Sequence, residues 1–323
     1  MSAGAYLFHG TRVRADGALA ARLADELLAP YRVEGDGAPA VVLSATRVAA
    51  HVVGALPPPV GTPVCVEPGI AVHARPDGAF EIRSAGARVD VGADGCIKAT
   101  IADDLDDCGS DFELLLALAL ALRPAGLYHV HGAALSLPRG RRVLVPAFSG
   151  CGKTTLTLAA IAAGAAYAGD DTLFLARRDG EIRVLGLARP FHVTDLTAHA
   201  FAALRPHLGA RWGTSDKRVL EAGAAFPGRS RHELAAPDAL LCPAIADAEE
   251  TRLERLTAAD GFCALLDASF FASSRSVPGL AEQLRIFKDV ADGAVTYRAL
   301  LGRDLLADPP AAVARIEDAL ARG

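Results

Sequence analysis

Apolar residues recur along this chain with two different periods, and the change between them divides the sequence into regions. Residues 15–29 have the spacing of an amphipathic helix, and Pro30 stops it. From about residue 40 to residue 101 the pattern changes to short runs rich in apolar and β-branched residues. Pro76-Asp77-Gly78 and Asp94-Gly95 predict hairpin turns, because glycine adopts the positive φ of tight turns. These features predict a small β-rich N-terminal domain over residues 1–108.

Helical and strand patterns alternate in the rest of the chain, which predicts an α/β domain over residues 109–323. A capping box at Ser110-Asp111-Phe112-Glu113 predicts the start of a helix that stops at Arg123-Pro124. Strands are expected at 127–137, 141–148 and 165–169, and a hairpin around Asp179-Gly180. Helices are expected to dominate beyond residue 195, over 197–205, 258–267, 279–292 and 309–321, after an earlier helix at 153–163.

Composition and charge exclude several classes of function. The 323 residues carry a net charge of −5, whereas sequence-independent nucleic-acid binding needs a basic face. The longest apolar run, Leu114 to Leu122, has nine residues, well short of the roughly 20 that cross a bilayer. No basic segment followed by an apolar stretch opens the chain. Six scattered cysteines lack zinc-site spacing and are expected to be reduced, mostly buried thiols. We therefore expect a cytoplasmic protein with neither a membrane nor a nucleic-acid partner.

A glycine-rich loop between a predicted strand and a predicted helix is the strongest chemical signal. Its sequence is Ala147-Phe148-Ser149-Gly150-Cys151-Gly152-Lys153-Thr154-Thr155, which matches GxxxxGK[ST] except that Ala147 replaces the first glycine. The glycines let backbone N–H groups point at phosphate oxygens, and the helix N-terminus adds its partial positive charge. Lys153 would reach the β- and γ-phosphates of ATP, and the Thr154 hydroxyl would hold Mg²⁺. Residues 149–155 are therefore predicted to bind the nucleotide.

Two further features lie close to this loop in the predicted topology. Asp170 and Asp171 follow the next strand, 17 and 18 residues after Lys153. In a parallel sheet the carboxyl ends of neighbouring strands share one crevice, where one carboxylate could accept a proton and the other could ligate Mg²⁺. His129 and His131 share a face of the preceding strand. His129 is interpreted as structural, whereas for His131 a structural and a functional role are equally supported.

Together, these motifs resemble the HPr kinase/phosphorylase family, and more closely the shorter HPr-kinase-related proteins of peptide-modification pathways. The resemblance covers about residues 110–300, with its motifs at 129–171. It implies a P-loop kinase core related to the C-terminal part of phosphoenolpyruvate carboxykinase. It also implies that a carboxylate of the Asp-Asp pair is the general base toward a serine hydroxyl. An equivalent of the family's C-terminal glycine-rich motif is missing from the sequence.

The resemblance assigns roles to individual residues by position. Asp170 matches the base, Asp171 its neighbour and His131 the upstream histidine. Arg189 and Lys217 fall in segments where related kinases place basic residues that contact phosphate or substrate. The implied catalytic set is therefore Asp170, Lys153 and His131, with Thr154 and Asp171 at the metal.

The expected function is an ATP- and Mg²⁺-dependent phosphotransferase acting on a hydroxyl of a peptide or protein Ser/Thr. A small-molecule alcohol is an alternative acceptor. Two other classes stay open, a regulatory P-loop ATPase without an acceptor and a nucleotide-binding module without turnover. The N-terminal domain has no chemical motif and could recognise substrate, form a homo-oligomer or be purely structural. Arg229, Arg231 and His232 are interpreted as a solvated loop, and Trp212 as either a packing residue or an anchor of a substrate loop.

Overall fold

A computed structural model describes residues 4–35, 37–105, 111–212, 215–272 and 274–322. The protein is a mixed α/β structure with several sheets. It forms two compact units, Met1–Tyr128 with Phe270–Glu282, and His129–Ser269 with Gln283–Gly323. The domain boundary expected at 108–109 and the capping residue Ser110 lie outside the described residues.

The first unit is built on an eight-stranded sheet with the order β1-β2-β3-β8-β7-β6-β5-β4. Buried and half-exposed residues alternate in β5 and β7, as expected for strands with one face on a core. Gly78 and Gly95 have φ of 82° and 81°, so both predicted hairpin turns are confirmed. The strands are β1 (Gly4–Phe8), β2 (Thr11–Asp16), β3 (Val41–Val48), β4 (Thr62–Glu67), β5 (Ile70–Ala74), β6 (Phe80–Ser84), β7 (Ala87–Val91) and β8 (Cys96–Ala102).

Three α-helices accompany this sheet, α1 (Ala18–Leu28), α2 (Ala50–Gly54) and α3 (Asp111–Ala121). The helix predicted at 15–29 begins later than expected, because residues 11–16 alternate and form β2. Almost every residue of α3 is buried, which explains its continuous apolar composition. Short 3₁₀ turns follow at 29–31 and 123–125, where Pro30 and Pro124 end the helices.

The second unit contains a six-stranded mixed sheet with the order β12-β10-β11-β19-β21-β20. A four-stranded sheet, β18-β14-β13-β9, and a three-stranded sheet, β15-β17-β16, complete the strands. Their bounds are β9 (Tyr128–Val130), β10 (Gly132–Ser136), β11 (Arg142–Pro146), β12 (Ala166–Gly169), β13 (Leu173–Arg178), β14 (Glu181–Gly186), β15 (Phe191–Thr194), β16 (Leu208–Arg211), β17 (Lys217–Leu220), β18 (Glu233–Ala235), β19 (Ala239–Ile245), β20 (Arg252–Arg255) and β21 (Val295–Leu301).

The helices of this unit are α4 (Lys153–Ala162), α5 (Asp195–Ala200), α6 (Ala222–Ala225), α7 (Ala258–Asp267), α8 (Leu280–Gly293), α9 (Asp304–Ala307) and α10 (Pro309–Arg322). The helices predicted at 153–163, 258–267, 279–292 and 309–321 are confirmed within a residue. The helix predicted at 197–205 is instead the short α5 followed by a 3₁₀ helix that contains Pro206. Helices dominate beyond residue 195, as predicted, but the six strands β16 to β21 that also lie there were not predicted.

The six-stranded sheet brings the start of β10 and the ends of β11 and β12 together at one end of the strands. β10 is antiparallel to both of its neighbours, so β11 and β12 run in the same direction on either side of it. Gly132, which opens β10, is paired with Pro146 at the end of β11. A Cβ at Gly132 would lie 2.7 Å from the carbonyl oxygen of Val145, so this close strand pairing requires glycine. The expectation that β11 and β12 are neighbouring parallel strands is therefore wrong, because the antiparallel β10 lies between them.

The core of the second unit lies on the α4 and α10 side of this sheet and includes Leu135, Val145, Leu158 and Ile316. No helix in the described ranges combines the length and apolar character needed to cross a membrane.

Candidate functional site

The glycine-rich loop joins β11 to α4, as the sequence predicts. Gly150 and Gly152 have φ of 90° and 92°, in the left-handed region that favours glycine. Gly152 directly precedes the first residue of α4. The backbone conformation therefore favours glycine here, and a Cβ would also lie 2.6 Å from Leu301 Cδ1, so that the leucine side chain would have to move. The loop therefore presents the N-terminus of a ten-residue helix with its partial positive charge.

Lys153 and Thr154, at the start of α4, contact the Asp-Asp pair that follows β12. Lys153 Nζ donates to Asp170 Oδ1 over 2.9 Å and also to Asp171 Oδ1. Thr154 Oγ1 donates to Asp170 Oδ2 over 2.8 Å. The side chain of Asp170 is completely buried, so its two oxygens are each engaged by one residue of α4. Elements 17 residues apart in sequence thus form one polar cluster.

Asp171 occupies a different environment from Asp170. Its φ of 70° is unusual for a residue with a side chain, and its side chain is 33% exposed. His131 Nε2 lies 3.4 Å from Asp171 Oδ1, and His192 Nδ1 lies 3.9 Å from Asp171 Oδ2. Asp171 is therefore bordered by one lysine and two histidines.

The environments shift the pKa values of these groups in opposite directions. Burial opposes the charge of Lys153, but attraction by the two carboxylates raises the pKa of its ammonium group above the ordinary value. Burial raises the pKa of Asp170 although Lys153 opposes this effect. Burial acts in the same sense on Asp171, yet His131, His192 and Lys153 hold the pKa of this carboxyl well below its usual range. The surroundings of Asp171 therefore favour its charged form, whereas burial acts against the charged form of Asp170.

A cavity of about 410 Å³ lies in front of this cluster. That volume is in the range of small-ligand sites. Its wall is formed by Phe148, Ser149, Gly150, Gly152, Lys153, Thr154, Thr155, Asp171, His192, Val193, Thr194, Leu196, Thr197, Asp216, Lys217 and Ile245. Asp171 lies on this wall, whereas the buried Asp170 does not.

The structure brings most of the sequence-predicted residues to this cavity, but not all of them. Lys217 Nζ donates to Ser149 Oγ over 3.2 Å, so a second lysine lies over the loop. The Sγ of Cys151 contacts the carbonyl oxygen of Phe148 over 2.8 Å, and Cys151 is absent from the cavity wall. His131 contacts Asp171 from outside the wall, and Arg189 does not line the cavity either.

Sequence reasoning missed the supporting residues that come from β15 and α5. His192 is stacked on Trp212, with ring centroids 4.4 Å apart and planes at 27°. Thr197 Oγ1 lies 3.0 Å from Thr155 Oγ1, which joins α5 to α4. His192 lies three residues after Arg189, the residue of this segment to which the resemblance assigned a role, and it is His192 that lines the cavity.

Outside the site, His129 was interpreted as structural, and Arg229 and Arg231 as part of a solvated loop; both arginines are exposed. His129 is buried, with its ring 5.9 Å from that of Phe174 in an edge-on arrangement. Arg229 donates to the carbonyl of Gly164 just after α4, and Arg231 donates to two nearby carbonyls. Of the described cysteines, four are half-buried and Cys263 is exposed, so the prediction of mostly buried thiols is wrong.

Comparison with known proteins finds similarity to solved structures only. No protein-family model matches the chain, and no curated protein matches it. The chain is similar to the Hpr(Ser) kinase/phosphatase from Coxiella burnetii, with 11% sequence identity and a TM-score of 0.33. The similarity covers 60% of this chain and 91% of that one. A similarity at this level does not bear on function, whereas the geometry of the site does.

Proposed function

We propose that this chain is an ATP- and Mg²⁺-dependent kinase with a P-loop core of the HPr-kinase-like type, which phosphorylates a Ser or Thr hydroxyl of a peptide or protein. The observation that carries the proposal is the meeting of Lys153, Thr154 and Asp171 on one cavity wall, at the N-terminus of α4. A glycine-rich loop, a lysine, a hydroxyl and a carboxylate in this order are the groups that phosphoryl transfer uses.

The cavity fits a nucleoside triphosphate. Phosphate oxygens would accept from the backbone N–H groups at Gly152 and the first turn of α4, and from the ammonium groups of Lys153 and Lys217. Both ammonium groups lie on the wall, together with the Ser149 hydroxyl. Two lysines and a helix N-terminus supply the positive field that a triphosphate needs.

The residues present also fit Mg²⁺. Thr154 Oγ1 donates a hydrogen bond to Asp170, which leaves the lone pairs of the hydroxyl oxygen for a cation. The described residues form no cluster of three or more His, Cys, Asp or Glu arranged for a metal. This agrees with Mg²⁺, which binds through few protein ligands, phosphates and water. Mg²⁺ would draw charge from the phosphate oxygens when bound.

We propose roles for the two aspartates that differ from those expected from their sequence positions. A general base must come within hydrogen-bond reach of the hydroxyl that it deprotonates. Asp170 is buried behind Lys153 and Thr154, whereas Asp171 is exposed to the cavity. We therefore assign the acceptor proton to Asp171, and to Asp170 the orientation of Thr154 and Lys153.

The transfer then follows from these positions. The acceptor oxygen bonds to the γ-phosphorus, the bond from that phosphorus to the bridging oxygen of ADP breaks, and the acceptor proton passes to Asp171. Lys153 stabilises charge on the transferred group. His131 and His192 hold the Asp171 carboxylate from two sides, which makes them positioning residues.

The test is incubation with ATP and Mg²⁺ in the presence of Ser- and Thr-containing peptides and, separately, small alcohols. Mass spectrometry should detect a peptide heavier by one phosphoryl group. Lys153→Met should slow transfer by about 10²–10³-fold, as for loss of one charge-stabilising donor. Lys288→Met removes an exposed lysine on α8 that pairs with Asp292, and should leave the rate unchanged.

Other outcomes point to other functions. Phosphate release without a phosphorylated acceptor would replace the kinase proposal with an ATPase. Transfer to an alcohol but to no peptide would change the acceptor class. ATP binding without any turnover would leave a binding module.

A further inference from the structure

A second cavity, of about 270 Å³, lies on the other side of α5 from the proposed ATP cavity. We call it the basic cavity; its wall is formed by Asp195, Ala198, His199, Arg205, Leu208 and Arg218. It belongs entirely to the second compact unit. None of its residues takes part in the chemistry proposed above.

Positive charge exceeds negative charge at this cavity. Asp195 is its carboxylate, and both oxygens are engaged: Arg218 Nε donates to Oδ1 over 3.0 Å, and an amino group of Arg211 to Oδ2 over 3.3 Å. Within the described part of the chain, Arg205 has no ion pair. The wall therefore carries two guanidinium groups and one carboxylate, and that carboxylate is already engaged by Arg218 and by Arg211 from outside the wall. A chain with a net charge of −5 concentrates a local excess of positive charge here.

His199 adds a further polar group to the same wall. Its Nδ1 lies 2.6 Å from the carbonyl oxygen of Asp195, and because a carbonyl only accepts, Nδ1 must carry the hydrogen. Nε2 is then the ring atom left to contact a ligand. The guanidinium groups on the wall, that of Arg205 without an ion pair in the described part of the chain and the partly exposed one of Arg218, are the groups that suit an anionic ligand.

The basic cavity and the ATP cavity share two elements. On α5, Leu196 and Thr197 line the ATP cavity, whereas Asp195, Ala198 and His199 line the basic one. On β17, consecutive residues point to opposite faces, so Lys217 faces the ATP cavity and Arg218 the basic cavity. The two sites are therefore about one helix diameter, roughly 10–12 Å, apart.

Leu196 lies on the path between the two cavities. It is 71% exposed, one of the most exposed large apolar side chains of the described residues. An extended peptide crossing α5 would cover it, whereas a free anion in the basic cavity would not. This favours a peptide as the occupant over a small anion.

We propose that the basic cavity binds an Asp or Glu side chain of the acceptor peptide, three or four residues away from the phosphorylated hydroxyl. The inference rests on the proposed kinase function and adds the substrate class, an acidic peptide. The spacing follows from the separation of the cavities, since an extended chain advances about 3.3 Å per residue and needs three to four residues to cross 10–12 Å. Arg205 is the specificity-determining residue, because its guanidinium is available for a two-point contact with a carboxylate.

The experiment measures kcat and KM for neutral Ser peptides in which a single Glu is moved through the five positions on either side of the serine. For the wild type, Glu three or four residues from the serine should lower KM about 10-fold, with little change in kcat. Arg205→Ala should abolish this preference and leave the neutral peptide unaffected. Arg205→Glu should invert it, so that Lys at the same position lowers KM. Arg252→Ala, which removes an exposed arginine on β20, is the matched control and should behave as wild type.

A second measurement keeps the inference testable if no peptide is phosphorylated. Fluorescence anisotropy would compare a labelled Glu-containing peptide with its Gln analogue on the wild type and on Arg205→Glu. Binding that needs both Glu and Arg205 supports the basic cavity even if the kinase proposal fails. Phosphorylation that ignores the position of Glu, or equal binding of both peptides, overturns the inference. Arg205-dependent binding of inorganic phosphate with no binding of the Glu peptide would also overturn it, in favour of a small-anion site.

Discussion

Asp170 and Asp171 are adjacent in the chain but lie in environments that suit different tasks. The φ of 70° at Asp171 turns its side chain toward the cavity, while the side chain of Asp170 points into the interior beside α4. The sequence predicts that the pair lies near Lys153, because strand order brings it there. It cannot predict which carboxylate faces the substrate, since that depends on one backbone torsion. The sequence does not predict the role of His192 for a similar reason, because only the fold brings this residue close to Asp171.

We expect Asp170→Asn and Asp171→Asn to affect different steps, ATP binding in the first case and phosphoryl transfer in the second. Asp171→Asn should lower kcat by about 10²–10⁴-fold, the usual worth of a positioned general base, with little change in the Kd for ATP. Asp170→Asn should instead weaken Mg²⁺-dependent ATP binding, because Thr154 and Lys153 lose the charged partner that orients them. Steady-state kinetics together with calorimetric titration of ATP and Mg²⁺ would measure both effects.

The roles would return to those expected from the sequence if Asp170→Asn abolished transfer while ATP binding stayed intact. Asp292→Asn is a suitable control, because Asp292 is an exposed residue of α8 that pairs with Lys288, and it should keep kcat within a few-fold of wild type.

Among the elements, those with local signals were predicted well. The loop with two glycines, the helix after it and the hairpin at Asp179-Gly180 each depend on residues close in sequence. β19 and β21 were not predicted, although together they form the parallel half of the six-stranded sheet. Their short apolar runs carry no period that separates a strand from a helix. Their placement beside β11 depends on long-range pairing.

One such pairing has an electrostatic clamp. Asp238, just before β19, accepts from the Arg142 backbone N–H at 2.8 Å and from its guanidinium at 2.7 and 3.1 Å. Hydrogen bonds with Arg142 lower the pKa of Asp238 below its ordinary value of 3.8, although burial opposes the effect. Since the folded pKa is the lower one, this stabilisation is fully present above about pH 4 and is lost as the pH falls through the folded value.

We expect Asp238→Asn to reduce the free energy of unfolding by about 1–3 kcal/mol at pH 7, as for hydrogen bonds to a charged group. The difference from wild type should be constant above about pH 5 and shrink as the pH falls below about 4, because the carboxyl is then protonated first in the unfolded and finally in the folded protein. Urea unfolding across this pH range would measure it. Asp267→Asn, at the exposed end of α7, is the control and should have little effect throughout. A difference that does not change with pH would show that the clamp is not electrostatic.

For the whole molecule, the course of the chain differs from a simple succession of two domains. Residues 270–282 come after most of the second unit in the sequence but belong to the first unit, and the chain then returns to the second unit. Within the first unit, Arg123 Nε donates to the Pro278 carbonyl over 2.7 Å, and the rings of Phe112 and Phe270 are 5.5 Å apart. A change of pattern along the sequence cannot predict such a return. The predicted β-rich N-terminal region captures the sheet but not this segment.

The return segment should therefore be necessary for the stability of the first unit. Phe271 and Val277 are 1% and 3% exposed, and burial of two such side chains contributes about 3–6 kcal/mol. Replacing residues 270–282 with a Gly/Ser segment of equal length should lower the thermal midpoint and increase binding of an apolar dye such as ANS. Replacing residues 58–60, which include the exposed Val60, with Gly and Ser is the control and should change neither the thermal midpoint nor the dye binding. Equal melting of the two variants would mean that the first unit is stable without this segment.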